Sequence, residues 1–400
     1  MRILMLGWEL PPHNSGGLGV ASYQICQSLA SQKIDIEFIL PYRADHKIEF
    51  MKITPATPNG VIDVQKIGIA YDTFRYTYQD NSTEILSFFD QVRAYEASVL
   101  KLVQNKEFDI VHAHDWLTFR AALRIKELRG CPIILHVHSV ESDRAGGKYG
   151  NPLIHEIEET SFNIADRIIA VSNFTKEAIM RDYGIPSEAI EVIHNSINSE
   201  ELIELDETNV YRYLSKLKNN GFKVVTNIGR LTLQKGLGNL LLAFSKVVNY
   251  YPNIILLLVG SGEQKQDLIQ LAADYGISQN VLFTDFVRGK NWRDACGIGD
   301  VFILPSISEP FGLTPLEAIS YGTPAIISKQ SGVSEVLSNC LKFDYWDIDK
   351  LVNQIIGVVS NDALKENLIF NAQNEVRAMS WNETASKIIK VYHQELGVTA

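Results

Sequence analysis

The sequence has few cysteines, no long apolar run and no excess of positive charge. Its four cysteines stand far apart and form no C-x-x-C pair, so neither a zinc site nor a disulfide framework is expected. No apolar stretch reaches the length of a membrane-spanning helix. The formal net charge of -10 argues against nucleic acid as the main partner. The N-terminal apolar run is too short for a signal peptide and ends at Glu9. We therefore expect a reduced, cytoplasmic protein without stable membrane insertion.

Two familiar phosphate-binding motifs are also missing. The glycine-rich loop NSGGLGVAS follows the first apolar run and precedes an amphipathic stretch, a position in which backbone N–H groups can cradle a phosphate. It is neither the G-x-G-x-x-G dinucleotide fingerprint nor a loop with a Walker lysine. The loop argues against nicotinamide-dependent enzymes and kinases, and it makes Gly16 and Gly17 candidate phosphate contacts.

What the sequence does have is a repeated alternation of short and long apolar patterns. Six β-branched runs lie in the first half of its 400 residues and five in the second, with amphipathic stretches between them. Continuous apolar strands that alternate with helices indicate parallel sheets buried on both faces. The pattern predicts an α/β fold with two Rossmann-like, doubly wound parallel sheets, which we expect to face each other across a ligand-binding cleft.

A polar segment at 196–221 separates the two halves and contains no strand-like run. It suits a linker with a connecting helix. We therefore predict a first domain over residues 1–198 and a second over 199–379. The amphipathic stretch that follows an apparent helix break near Trp381 predicts a last helix, at about 380–400, that returns to the first domain.

Two glutamates flank a sharp turn in the stretch PSISEPFGLTPLEAIS. Glu309 follows an apolar run, and Glu317 stands three residues after Thr314, as in a helix that begins with a capping box. Capping alone would explain Glu317. A helix start directly after a strand also suits a diphosphate, and Gly312 lets the backbone approach a ligand closely. The functional interpretation places Glu309 near a sugar and Glu317 at ribose hydroxyls.

Two cations occupy the loop in NIGRLTLQKG. Arg230 follows an apolar run and Lys235 stands five residues later, so together they could neutralise a departing diphosphate. Most arginine and lysine residues are solvated surface charges, so this pair alone does not establish a diphosphate-binding site. The Gly-Ser-Gly turn at Gly260 and Gly262, in the same half, is a weak signal alone.

Two His-x-His pairs, His112/His114 and His136/His138, lie on predicted strands, where residues two apart share a face. A metal-dependent hydrolase is the alternative that these pairs raise. No lysine is placed to bridge two metals, so we expect no metal site. Polar contact at strand ends is the preferred interpretation, while burial with bonds to backbone groups stays open for His112 and His136.

An Asp-x-Asp pair, Asp347 and Asp349, is typical of metal-dependent sugar transferases. It stands here at the start of a predicted helix, where acidic residues suit the helix dipole. We interpret it as a helix cap.

Taken together and in this order, the motifs resemble those of family-4 retaining glycosyltransferases of the GT-B fold, especially the branch that includes glycogen and starch synthases. The resemblance covers nearly the whole chain. The matching segments are Gly-Gly-Leu at 16–18, His-Asp-Trp at 114–116, HSVESDR at 138–144, VSNFTK at 171–176, GRLTLQKG at 229–236, VGSGE at 259–263 and the two glutamates.

The resemblance implies transfer of a hexose, expected to be glucose, from ADP- or UDP-glucose to an acceptor hydroxyl with retention of configuration. No metal or other cofactor is expected. The implied catalytic residues are His138, Glu309, Arg230 and Lys235. The implied donor-binding residues are Gly16, Gly17, Arg230, Lys235, Gly260, Gly262, Glu309, Phe311, Gly312, Leu313, Thr314 and Glu317. The implied acceptor-side residues are Glu9, His114, Asp115, Trp116, Glu141 and Arg144.

The acceptor expected first is an α-glucan, and a surface polysaccharide, a lipid-linked glycan or a small molecule is the alternative. A nucleotide-sugar epimerase would need no acceptor site, and a non-catalytic glycan-binding relative would have lost Arg230, Lys235 or Glu309. Two departures from the family pattern are Asn14, where bacterial glycogen synthases carry lysine, and Ser196 with Asn198 in place of the Gly and Asp of Asn-Gly-x-Asp. The first weakens the case for a standard ADP-glucose-dependent glycogen synthase. The donor base, including GDP, and the oligomeric state stay open.

Overall fold

The computed structural model describes residues 1–14, 16–67, 73–147, 149–198 and 209–398. It divides the chain into two compact units. Unit 1 comprises Met1–Ser142, Tyr149–Asn195 and Trp381–Ala400, and unit 2 comprises Asp143–Lys148 and Ser196–Ser380. Among the described residues, no helix is long and apolar enough to cross a membrane.

Unit 1 is built on a seven-stranded parallel sheet with the strand order β10-β9-β8-β7-β1-β2-β3. Its inner strands are mostly buried, because helices cover both faces of a doubly wound sheet, whereas its two edge strands are partly exposed. The strands are β1 (Arg2–Leu6), β2 (Asp35–Leu40), β3 (Lys52–Pro55), β7 (Ile110–His114), β8 (Ile133–Val137), β9 (Arg167–Ala170) and β10 (Ile190–Val192). The helices are α1 (Gly17–Ser31), α2 (Phe88–Val103), α3 (Trp116–Arg129), α4 (Glu141–Arg144), which runs from unit 1 into the first residues of unit 2, α5 (Pro152–Ile164), α6 (Asn173–Tyr183) and α14 (Trp381–Glu395).

Unit 1 also contains a second, antiparallel sheet that was not predicted from the sequence. It consists of β4 (Val61–Ile67), β5 (Thr73–Tyr78) and β6 (Thr83–Ile85). The signal for it was the alternation in TFRYTY, in which Phe74 and Tyr76 are buried at 1% exposure and Arg75 between them is exposed. A strand buried on one face carries about half the apolar residues of a strand buried on both faces, so it forms no continuous apolar run in the sequence.

Unit 2 repeats the doubly wound plan with a six-stranded parallel sheet, in the order β13-β12-β11-β14-β15-β16. Its strands are β11 (Lys223–Ile228), β12 (Ile254–Val259), β13 (Val281–Thr284), β14 (Val301–Leu304), β15 (Ala325–Ser328) and β16 (Leu341–Phe343). Its helices are α7 (Arg212–Asn219), α8 (Leu237–Tyr250), α9 (Lys265–Asp274), α10 (Lys290–Ile298), α11 (Thr314–Ser320), α12 (Ile348–Ser360) and α13 (Asp362–Ala378). The predicted fold of two doubly wound parallel sheets is confirmed.

The interpretation of the Asp-x-Asp pair as a helix cap is confirmed. The Asp347 side chain caps α12 by accepting the backbone N–H of Lys350 at 3.1 Å. Helix α13 ends at Ala378, and α14 then packs against α1 within unit 1. Of the predicted linker, residues 199–208 lie outside the described part of the chain, and α7 occupies 212–219.

Candidate functional site

The sheet of unit 2 reverses its strand order between β11 and β14. Strands β12 and β13 lie on one side of β11, and β14 to β16 lie on the other. A reversal of this kind opens a crevice at the carboxyl ends of the two central strands, where ligands of open α/β sheets bind. Arg230 and Lys235 follow β11, and Glu309 follows β14. Three predicted catalytic residues therefore occupy loops at the switch point of unit 2.

The loop that carries Arg230 runs close against the Gly-Ser-Gly turn after β12. A Cβ atom on Gly260 would lie 1.8 Å from the carbonyl oxygen of Gly229, and one on Gly262 would lie 2.2 Å from that of Leu231. No side chain fits at either position. The two glycines, predicted as donor contacts, thus have a packing role that the sequence did not reveal: they let the two loops approach each other and fix the path of the backbone at Arg230.

Lys235 and Glu309 form an ion pair between Nζ and Oε2. The two side chains are only 17% and 10% exposed, so little water screens the attraction. The hydroxyl of Ser306 donates to the same carboxylate oxygen at 3.0 Å. The structure thus brings two predicted catalytic side chains into contact. Ser306 was not predicted, although a serine three residues before a buried carboxylate in a tight turn is a usable signal.

The backbone around Glu309 is fixed on both sides. Its N–H donates to the carbonyl of Gln330 and its carbonyl accepts from Gly332, each at 2.9 Å. Gly312 has φ +98°, and a Cβ atom there would lie 3.2 Å from Cγ of Glu309 and 3.2 Å from Cδ2 of Leu304. Gly312 is therefore needed for the turn itself, whatever ligand approaches it.

The start of α11 differs from the prediction. Thr314 is the first helical residue and not the N-cap; the cap is Leu313, whose side chain offers no hydrogen bond. The prediction of a threonine-capped helix is wrong because the helix begins one residue earlier than the Thr-Pro signal indicates. Phe311 is 3% exposed and packs inside unit 2, with its carbonyl accepting from Val333. The helix has seven residues, so its dipole is small.

Glu317, on α11, receives a hydrogen bond from the indole N–H of Trp292, on α10. Burial raises the pKa of the Glu317 carboxyl to about 7, and the bond from Trp292 opposes that shift. A carboxyl with this pKa can donate as well as accept near neutral pH, which suits contact with ribose hydroxyls. Trp292 was not among the predicted site residues, because a tryptophan in a polar segment is expected to lie on the surface.

Asp143 has a partner in unit 2 that the sequence did not reveal. Its Oδ1 accepts from the hydroxyl of Ser308 at 2.5 Å, and its side chain is buried. Ser308 precedes Glu309 directly. The motif HSVESDR contains Asp143, yet nothing in its spacing indicates a partner 165 residues away.

The sheet of unit 1 has its own switch point between β1 and β7. Gly16 is the N-cap of α1, which follows β1, and Gly17 is the first helical residue. Oε1 of Glu9 accepts the N–H of Gly19 at 3.1 Å, so Glu9, predicted on the acceptor side, binds the first turn of α1. The amide of Asn14 donates to the carbonyl of Gly16 at 3.0 Å and so braces the loop.

Asp115 joins the ends of β7 and β8. It has φ +58°, in the left-handed region, and its Oδ1 accepts the N–H groups of His138 at 2.7 Å and Ser139 at 3.2 Å. A carboxylate that takes two backbone donors fixes that segment firmly. Asp115, predicted on the acceptor side, is 6% exposed and positions the backbone of His138.

The four histidines at the ends of β7 and β8 bond to one another. His112 Nε2 lies 3.1 Å from His136 Nδ1, and His114 Nδ1 lies 2.9 Å from His138 Nε2. His112 Nδ1 also bonds to the hydroxyl of Tyr392 at 2.6 Å. The alternative that backbone groups satisfy His112 and His136 is not found among these bonds: side chains bond to both nitrogens of His112 and to Nδ1 of His136, and Nε2 of His136 is buried without a hydrogen-bond partner among the described residues. Burial lowers the pKa of all four imidazoles, to about 3 for His112 and His138.

Nitrogen atoms of His112, His114 and His136 lie within 4.8 Å of one another, close enough to consider a metal ion. Each of the three rings already bonds through at least one nitrogen to a neighbouring side chain. An ion would have to break those bonds inside a site where all three residues are fully buried. The arrangement fits a hydrogen-bonded network better than a metal centre.

The remaining predicted residues, in both units, are buried or half-buried. Trp116 is 1% exposed, and the centroid of its ring lies 5.5 Å from that of the Phe88 ring. Glu141 is 8% exposed, and its Oε1 accepts the N–H of Asn151 at 2.7 Å. Arg144, which falls in unit 2, is half-buried. At the departure near the linker, Ser196 is buried and Asn198 is half-buried.

Two family models match the chain, one for each half. Residues 15–201 match the model for Glycosyltransferase Family 4, and residues 214–375 match the model for Glycosyl transferases group 1. The chain is 27% identical over 407 residues to an uncharacterized glycosyltransferase, MJ1607, of Methanocaldococcus jannaschii, covering 98% of each chain. It is 26% identical over 347 residues to a glycogen synthase of Mycobacterium tuberculosis, covering 85% of this chain and 80% of that one.

Among solved structures, the fold is similar to that of HepE from Anabaena, solved in complex with UDP and glucose, with a TM-score of 0.75 and 18% identity over 98% of this chain and 100% of that chain. The fold is therefore GT-B. The chain is a glycosyltransferase that belongs to family 4. Within that family it belongs to the branch that resembles glycogen synthases.

Proposed function

We propose that this enzyme transfers a hexose, glucose in the first instance, from ADP- or UDP-glucose to an α-glucan, with retention of configuration and without a metal ion. The observation that carries the proposal is the poorly solvated ion pair of Lys235 and Glu309 at the switch point of unit 2, where Arg230 and Lys235 follow the same strand, β11. A solved structure of the same fold was obtained with UDP and glucose. The similarity to a glycogen synthase supports the α-glucan acceptor.

In this proposal the two cations bind the donor diphosphate and offset the charge that grows on it as the glycosidic bond breaks. Lys235 leaves Glu309 for the diphosphate, and Glu309 then contacts the transferred sugar. Glu317 binds the ribose hydroxyls. The fixed loops around Arg230 and Glu309 keep both side chains close to their working positions before the donor arrives, which lowers the cost of reorganisation.

For unit 1 we assign phosphate contact to the backbone N–H groups of Gly16 and Gly17. His138 is assigned to the anomeric centre of the donor, where it stabilises the oxocarbenium-like state. Asp115 holds the backbone of His138 in place. The acceptor is assigned to the same end of the sheet, near Glu141.

A donor panel tests the proposal. Purified protein is incubated with ADP-, UDP- and GDP-glucose, with and without maltooligosaccharide and with and without EDTA. We expect nucleoside diphosphate release that depends on the maltooligosaccharide, products one hexose longer in α linkage, and no effect of EDTA. Release that ignores maltooligosaccharide would replace the α-glucan with another acceptor, such as a surface polysaccharide, a lipid-linked glycan or a small molecule. A β-linked product would overturn retention, and loss of activity with EDTA would overturn metal independence.

A further inference from the structure

The His114 ring links a sulfur atom to the predicted catalytic ring of His138. Nε2 of His114 lies 3.0 Å from Sδ of Met5, and Nδ1 of His114 lies 2.9 Å from Nε2 of His138. His114 and Met5 are both fully buried. The three side chains come from the neighbouring strands β1 and β7 and from the residue that follows β8.

Sulfur in a thioether carries no hydrogen and can only accept a hydrogen bond. The contact with Met5 is therefore favourable only when Nε2 of His114 carries the proton. A neutral imidazole has one proton, so Nδ1 of His114 is then an acceptor. The contact between Nδ1 of His114 and Nε2 of His138 in turn requires the proton on Nε2 of His138.

The same reasoning leaves Nδ1 of His138 without a proton. Burial keeps both rings neutral, since it lowers the pKa of His114 and of His138. Nδ1 of His138 has no hydrogen-bond partner within the described ranges of the chain. Two bonds to Asp115 hold the backbone on either side of this ring. The ring thus offers a hydrogen-bond acceptor of fixed orientation.

We infer that Met5 and His114 are positioning residues that fix the tautomer of His138, so that its Nδ1 accepts a hydrogen bond from a hydroxyl group of the sugar substrate. The inference rests on the proposed function for the identity of the ligand. The tautomer itself rests only on the geometry of unit 1. Neither Met5 nor His114 touches substrate in this scheme, and both act through His138.

The tautomer is measured without substrate, by long-range ¹⁵N–¹H NMR on protein with ¹⁵N-labelled histidine. Resonances of His114 and His138 are assigned from the His114→Gln and His138→Gln spectra. We expect protonated Nε2 and unprotonated Nδ1 in both rings of the wild-type protein. Protonated Nδ1 on His138 would overturn the inference. Because no activity is needed, a failed transferase assay would sink the proposed function and leave this result standing.

Met5→Leu keeps the volume of the side chain and removes the acceptor. We expect both tautomers of His114 and His138 to appear, and kcat/KM to fall roughly twofold to tenfold, because the alternative form of His138 cannot accept at Nδ1. Met51→Leu is the matched control, since Met51 is a buried methionine of the same unit. Unchanged tautomers in Met5→Leu, or an equal loss of turnover in Met51→Leu, would contradict the positioning role.

Discussion

At the scale of single residues, the candidate site uses carboxylates in three different states. Glu309 is paired with Lys235, Asp115 accepts two backbone N–H groups, and Glu317 is half-buried and accepts a bond from an indole. These states follow from the neighbours of each group and not from its residue type. A sequence reveals that acidic residues stand near strand ends, but their partners come from segments far away in the chain.

Glu317 gives the clearest pH-dependent prediction. Its pKa is raised from 4.5 to about 7 in the folded protein, so the unfolded chain ionises first as the pH rises. The free energy of unfolding therefore decreases as the pH rises from 4.5 to 7, because ionised Glu317 is less stable in the folded protein than in the unfolded chain. Above pH 7 this penalty for burying the charge is present in full. Glu317→Gln removes this penalty. We expect a gain of about 1–3 kcal/mol at pH 8 and almost none at pH 4, measured by urea unfolding.

The control for that comparison is Glu366→Gln, which neutralises an exposed glutamate of the same unit. A loss of stability in Glu317→Gln at pH 8 would show that the folded protein favours the ionised carboxylate. The raised pKa would then be wrong.

At the scale of elements, glycines decide where the loops of unit 2 run. Gly236 has φ +62° and lies between Lys235 and α8. A Cβ atom there would stand 2.2 Å from the carbonyl oxygen of Pro305. This one residue therefore sets how closely the Lys235 loop approaches the segment that leads to Glu309.

Gly236→Ala is expected to destabilise the protein by at least about 2 kcal/mol, because the backbone is in the left-handed region and a backbone oxygen blocks the methyl group. Gly238→Ala is the control: its Cβ atom would meet nothing closer than 3.7 Å, in the first turn of α8. We expect that change to be neutral or stabilising by up to about 1 kcal/mol. Equal midpoints of chemical unfolding for the two variants would refute the packing argument.

The strands and helices also differ in how well they could be predicted from the sequence. Continuous apolar strands such as Ile254–Val259 and the order of the motifs indicated both parallel sheets, because a strand buried on two faces needs apolar residues throughout. The small antiparallel sheet was missed since its strands alternate. The cap at Thr314 was misplaced by one residue. The network of His112, His114, His136 and His138 could not be foreseen, because two strands had to be set in register before the rings met.

At the scale of the whole molecule, the chain begins and ends in the same unit. Helix α14 packs on α1, and it bonds to unit 1 at several points: Thr384 to the carbonyl of His194 at 3.0 Å, and Glu395 to Arg167 at 2.9 Å. Tyr392 bonds to His112 within the histidine network. The C-terminal helix is thus an integral part of the unit that holds His138.

The most direct test of the central claim compares Lys235→Ala with Lys246→Ala in nucleoside diphosphate release from the preferred glucose donor. Both residues are in unit 2 and each is ion-paired, Lys246 with the exposed Asp349 and Lys235 with the buried Glu309. The claim predicts that Lys235→Ala lowers kcat by about 10²-fold or more, since it removes a charge that stabilises the leaving group. Lys246→Ala should change it less than about twofold. Near-normal turnover in Lys235→Ala, with stability retained, would contradict the assignment of the switch point of unit 2 as the donor diphosphate site.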